Sequence, residues 1–162
     1  MNAGLGLVVL ADSVVWAGWS AVVGYGAHHL PPRVVESDNR LTRLRSWERS
    51  GRAYEALGIR RWKDRLPEAG AVFGGGVSKR ALPGRGADDL ERFAAETRRA
   101  ELVHWAIPLI TPVFALWNPP ALLAAMVAYA VVANAPCIAI QRFNRVRITR
   151  VLDRRSQRTA RR

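Results

Sequence analysis

The chain has 162 residues, one domain's worth, with 25 Lys and Arg against 13 Asp and Glu and a net charge of +12. Its one cysteine, Cys137, excludes an intrachain disulfide framework and a cysteine-rich metal site. The basic residues fall in two blocks, 16 in residues 31–101 and nine in residues 142–162, with none in residues 1–30 or 102–141. Apolar blocks free of Lys and Arg alternating with basic ones describe a small all-α membrane protein on an anionic bilayer, and favour that partner over nucleic acid.

The first apolar block, residues 3–30, is long enough to span, since a crossing helix needs roughly 20 apolar residues. Trp16, Trp19 and Tyr25 suit an interfacial belt at its far end. A cleaved signal peptide is the rival reading, weakened because Met1-Asn2 supplies no basic leader. Asp12 lies inside this span, where facing lipid is costly. It either finds a partner in the helix bundle or sits near enough to one end to reach water.

Residues 37–57 read as a helix capped at Ser37 or Asp38 and stopped at Gly58. Leu41, Leu44, Trp47, Tyr54 and Leu57 recur near helical spacing, opposed by Arg40, Arg43, Arg45, Arg49 and Arg52. Such a helix either lies in the headgroup plane or packs on its neighbours. Next, in Ile59-Arg-Arg-Trp-Lys-Asp-Arg-Leu-Pro67, Trp62 sits among charges. That suits phosphates beside a flat ring, or a second anchor on anionic lipid.

Residues 70–86 hold six glycines and read as a linker. Gly-Gly-Gly-Val-Ser-Lys79 lacks the spacing of a phosphate-binding loop. Asp88, with Glu91 three positions on, starts a helix in capping-box register. That helix runs into a second span, residues 102–117, which Pro108 and Pro112 should kink. Asn118-Pro119-Pro120 is a turn, and residues 121–140 are a third span. The tail, residues 141–162, is a basic amphipathic segment whose apolar side is Phe143, Val146, Val151 and Leu152.

Three spans place the loop 31–101 and the tail on one side of the cell membrane, and the positive-inside rule makes that side cytoplasmic. An antiparallel hairpin turning at Pro119 pairs positions whose numbers sum to about 238. His104 then lies at the depth of Asn134, Glu101 near Cys137 and Glu96 near Arg142.

Thr97, Glu101 and His104 share one helical face. A carboxylate one turn before a histidine is placed to accept its ring N–H, leaving the other nitrogen to take a proton from a hydroxyl. Glu-x-x-His also resembles half of a di-iron bundle, but that needs the motif twice, and His28 and His29 lie at the opposite face; no metal is expected. Asn134 is either glue between helices or a donor to a developing oxyanion. Cys137 reads as a small apolar filler rather than an acyl nucleophile.

Arg61-Trp-Lys-Asp64, Glu96-Thr-Arg-Arg-Ala-Glu-Leu-Val-His-Trp105 and Gln141-Arg-Phe-Asn-Arg-Val-Arg147 together resemble the signatures of the glycosyl-4,4'-diaponeurosporenoate acyltransferase family. The resemblance covers roughly residues 40–155; Val146 stands where that family's Asn-Arg-x-Arg motif is expected to carry proline. It implies transfer of a fatty acyl group to a sugar hydroxyl of a membrane-embedded glycosylated carotenoid, with acyl-CoA as co-substrate and no cofactor. His104 would then be the general base, oriented by Glu101 or Glu96, with Asn134 or Asn144 binding the oxyanion. Arg60, Arg61, Lys63, Arg142 and Arg145 would hold the donor's phosphates, with Trp62 and Gln141 completing the binding set. The competing expectation is a non-catalytic membrane partner that docks carotenoid or lipid enzymes through the same basic face.

Overall fold

A computed structural model of the chain describes residues 3–66 and 86–161, and every regular element in it is helical. Helix α1 is Ala3–His28, α2 is Pro32–Val35, α3 is Arg52–Ala56, α4 is Ile59–Trp62, α5 is Ala87–Ala106 and α6 is Pro120–Thr159. Three 3₁₀ segments accompany them, Ser46–Glu48, Lys63–Arg65 and Ile107–Leu116. The glycine-rich linker expected over residues 70–86 lies outside the described residues, apart from Gly86.

Helices α5 and α6 pack side by side, and the 3₁₀ segment Ile107–Leu116 returns the chain to the start of α6 through the expected Asn118-Pro119-Pro120 turn. Helix α1 lies along the arm formed by α5 and the 3₁₀ segment, and its Trp16 reaches Ala130 of α6. Near its start, Asp12 accepts hydrogen bonds from Trp117 Nε1 at 2.8 Å and Asn118 Nδ2 at 2.9 Å. At its other end, the Arg99 guanidinium donates to the Ala27 and His28 carbonyls. A cation is well placed there, because unpaired carbonyls concentrate negative charge at a helix C-terminus. Asp12 is therefore a bundle partner, 3% exposed, and the alternative of reaching water does not hold.

Among the described residues, two helices are long and apolar enough to cross a membrane, α1 and α6. The apolar window in α1 has a mean hydropathy of 1.7 with only 6% of it buried, so its Leu and Val side chains face outward rather than into a core. Exposed Leu5, Leu7, Leu10, Val14 and Val22 on α1 and Val127, Val131 and Val132 on α6 form an apolar exterior, as lipid contact requires. Trp16 departs from the expected interfacial belt. It is 9% exposed and packs in the bundle against Phe114, ring centroids 5.4 Å apart, and Ala130.

The second expected span, residues 102–117, is not a helix able to cross by this measure. It is the end of α5 followed by ten residues of 3₁₀ helix. The prolines account for this. Pro108 and Pro112 supply no N–H, and their rings crowd the preceding α-helical turn. Pro112 also removes the α-helical donor that would reach the Pro108 carbonyl, and the Thr111 hydroxyl donates to that oxygen instead, at 2.6 Å. Helix α5 begins within a residue of the expected start, but Gly86 precedes it and no side-chain cap forms.

The continuous helix expected over residues 37–57 is absent. Turns occupy residues 36–45, led by Asn39, whose Oδ1 accepts the Leu41 and Thr42 N–H groups at 2.9 Å, and only short helical pieces follow. Gly58 does end α3, at φ +63, where a side chain would be strained. The tail, expected as a separate amphipathic segment, is the continuation of α6. Its apolar side is internal: Phe143 and Val146 pack on Tyr54 and Ile59, and Val151 and Leu152 on Leu90, Phe93 and Ala94.

Candidate active site

The two segments singled out in the sequence meet along the α5–α6 contact. His104 Nδ1 lies 2.9 Å from Asn134 Oδ1, the pairing that the hairpin register predicts. The Asn134 amide donates through Nδ2 to the Ala130 carbonyl, also at 2.9 Å. That bond sets which amide atom faces the ring. The oxygen does, and an oxygen only accepts, an arrangement that favours the imidazole proton on Nδ1. Asn134 is 5% exposed, and its hydrogen bonds satisfy both ends of a buried amide.

One turn before His104, Glu101 is fully buried. Oε1 accepts from Arg142 Nη1 at 2.5 Å and from Trp105 Nε1 at 3.3 Å, and Oε2 accepts from Arg145 Nη2 at 2.5 Å. Arg142 also grips Glu48 with two parallel bonds, Nε to Oε1 and Nη2 to Oε2, both 2.6 Å. Such forked pairing is the strongest arrangement open to these groups. Arg142 also donates to the Leu41 and Arg43 carbonyls, and Arg145 to the Thr42 carbonyl and the Thr97 hydroxyl, while Arg145 Nε has no partner among the described residues. Two guanidiniums and two carboxylates thus form a neutral, buried lattice that ties the loop 39–48 to α5 and α6.

Glu48 also accepts from the Arg45 amide and from the Tyr54 hydroxyl. Burial alone would push its carboxyl up, but the Arg142, Tyr54 and Arg45 hydrogen bonds outweigh it and hold the pKa at about 2. Burial, then the bond to Glu48 and its charge, push the Tyr54 hydroxyl upward, so it stays protonated as a donor. Glu48 and Tyr54 were not among the candidate site residues. A signal for Glu48 exists: it is the sole acid in a stretch holding Arg40, Arg43, Arg45, Arg49 and Arg52.

The other candidates lie apart from the His104–Asn134 contact. Glu96 pairs with Arg99 at 3.3 Å on a partly exposed face. Asn144 is 1% exposed, and among the described residues its amide has no hydrogen-bond partner. Arg61 is exposed, Trp62 donates to the Leu57 carbonyl at 3.0 Å, and Lys63 pairs with Asp64 at 2.5 Å. Gln141 is half-buried, and α6 runs unbroken past Val146.

The arrangement defines a helical bundle with an apolar exterior, carrying an oriented histidine beside a buried charge lattice where its apolar and basic parts join. The chain belongs to the glycosyl-4,4'-diaponeurosporenoate acyltransferase family, whose model matches residues 37–154. It is 36% identical over 104 residues to proteins of that name from Staphylococcus aureus strains bovine RF122 / ET3-1, USA300 and NCTC 8325. Those alignments span 62% of this chain and 62% of each relative's length. No solved structure matches the chain.

Proposed function

We propose that this protein is a membrane acyltransferase that esterifies a sugar hydroxyl of a glycosylated carotenoid with a fatty acyl group. Membership of the family supports the reaction class. The single observation that supports the mechanism is the His104–Asn134 contact, which favours a proton on Nδ1.

In this scheme the sugar hydroxyl gives its proton to His104 Nε2 as its oxygen attacks the thioester carbonyl of acyl-CoA. The tetrahedral intermediate collapses by breaking the carbon–sulfur bond. The departing thiolate takes the proton back from the imidazolium, so the ring ends as it began. Asn134 stabilises the imidazolium through Nδ1–H, and is a positioning residue rather than an oxyanion donor because its N–H already serves Ala130. Glu101 and Arg142 act one step further out, holding α5 and α6 in register. The polyene would lie along the apolar exterior and the sugar at the level of His104. The loop and tail would face the cytoplasm, as their basic charge favours.

Purified protein supplied with acyl-CoA and a glycosylated carotenoid should yield the ester by mass spectrometry. His104→Ala should stay in the membrane fraction and lose ester formation by about 100-fold or more, the scale of a general base. Full activity in that variant would remove His104 from the mechanism. Absence of ester from the wild type would leave the docking-partner alternative.

A further inference from the structure

Most residues expected to hold the donor's phosphates are already engaged: Arg60 pairs with Glu55 at 2.8 Å, and of that set Arg61 alone is exposed with no ion pair among the described residues. Arg142 and Arg145 are buried and bonded to Glu48, Glu101 and backbone carbonyls, and Lys63 is paired with Asp64. A different surface is open. A shallow groove of about 580 Å³ is lined by Arg43, Leu44, Arg45, Ser46, Trp47 and Arg49. Arg43, Arg45 and Arg49 are exposed and form no ion pair among the described residues. The carboxylate within this stretch, Glu48, is 1% exposed and already neutralised by Arg142. Among the described residues these three exposed arginines thus have no surface counter-charge beside them, and Arg45 Nη2 donates to the Arg40 carbonyl at 3.4 Å. Their planar forks match phosphate oxygens.

Trp47 adds a second kind of recognition. Its indole is 62% exposed, an unusual position for so large a ring outside an interface or ligand site, and it leans on Tyr54 with centroids 6.4 Å apart. A flat face beside a cluster of arginines suits an aromatic base next to phosphates. The groove is also held in shape from beneath. Arg142 binds the Arg43 carbonyl at 2.9 Å, Glu48 accepts the Arg45 amide at 2.6 Å, and Arg150 binds the Arg49 carbonyl at 3.2 Å. Its volume falls within the range of about 300–1,000 Å³ typical of small-molecule sites.

We infer that this groove binds the nucleotide diphosphate of the acyl donor, with Arg43, Arg45 and Arg49 on the phosphates and Trp47 stacked on the base. The inference rests on the acyltransferase reading. It places the nucleotide on the loop latched to α6 by Arg142. Arg142 lies eight residues along α6 from Asn134, or about 12 Å of helix, a gap for the donor's flexible thioester arm to bridge.

The shared chemistry is a phosphate ester, and a lipid headgroup also supplies one, so the test separates the two. Coenzyme A is titrated calorimetrically into detergent-purified full chain, and binding to phosphatidylglycerol vesicles is measured in parallel. The Arg43→Ala/Arg49→Ala double variant and Trp47→Ala should each weaken coenzyme A binding, the double at least tenfold. Arg154→Ala/Arg158→Ala on the exposed tail should not. Circular dichroism checks that each variant keeps its helices; if the double variant unfolds, Trp47→Ala carries the test. In the transfer assay the KM for acyl-CoA should rise while that for the carotenoid stays level. Wild-type coenzyme A affinity in both groove variants overturns the inference. So does a loss confined to vesicle binding, which would make the groove a headgroup site. An unchanged donor KM in active groove variants sinks the groove and leaves acyl transfer standing. Coenzyme A binding lost in these variants, with no ester from the wild type, does the reverse.

Discussion

At His104 the Asn134 amide turns an acceptor oxygen toward Nδ1. Asn134 cannot rotate to offer its N–H without giving up the Ala130 carbonyl, so ordinary helix geometry favours a proton on Nδ1. Asn134→Leu should lower kcat by about 100-fold, the scale of losing a reactive group's orientation, while leaving both KM values near wild type. Asn134→Asp restores an acceptor toward Nδ1 and should recover part of that loss; equal damage in both would make Asn134 a packing residue only. This contact was legible because equal rise along two helices from a known turn fixes depth. The partner of Glu101 was less so. Glu-x-x-His spacing allows a bond to the imidazole, but a fully buried carboxylate needs a full positive charge nearby, and a neutral ring supplies none. Arg142 and Arg145 supply it by reaching back along α6, farther than a rule of equal depth allows.

The loop that carries Glu48 shows why local periodicity misleads. Residues 37–57 have helical spacing, yet a helix would use the Leu41, Thr42 and Arg43 carbonyls internally. Those oxygens instead receive Arg142 and Arg145, partners about a hundred positions away that no local pattern reveals. The short-range signals did survive: Gly58 stops α3, and Asp88 marks the start of α5 within a residue. Glu48 is the keystone of the latch. Removing its charge leaves Arg142 buried with one carboxylate where it had two, so Glu48→Gln should cost about 3–5 kcal/mol, read as a lower thermal midpoint in detergent. The pH dependence has a definite sign. The carboxyl is held at about 2 against an ordinary 4.5, so its stabilisation is complete above 4.5 and fades as the pH falls toward 2. Wild type should lose helical signal through that window, and Glu48→Gln should lose much less there. A parallel acid profile in the two proteins would show that Glu48 is not the responsive group.

Across the whole molecule, polar and basic groups sort to opposite ends of one bundle. Asp12, Trp117 and Asn118 close one end, while the Arg142 lattice and the arginine-rich loop occupy the other. Between them, α6 from Pro120 to Ile140 rises about 31 Å, close to the thickness of a bilayer's hydrocarbon core. The returning arm is too short to match this as an α-helix. A 3₁₀ helix rises about 2.0 Å per residue against about 1.5 Å, so its ten 3₁₀ residues reach about 20 Å instead of about 15 Å. With Leu102–Ala106 added, the arm reaches about 28 Å. The prolines thus break the α-helix that the sequence suggested, and the 3₁₀ winding that replaces it makes the arm longer than an α-helix of the same residues. Under the proposed membrane reading, charge favours the cytoplasmic side for the arginine-rich end, since moving that end across a bilayer is far costlier than moving the Asn118 turn. In a Cys137→Ser background, an impermeant maleimide added to intact cells should label Ala121→Cys. It should reach Ser50→Cys and Ser156→Cys only after lysis. Labelling of Ser50→Cys from outside would reverse the orientation and put the arginine groove out of reach of a cytoplasmic acyl donor.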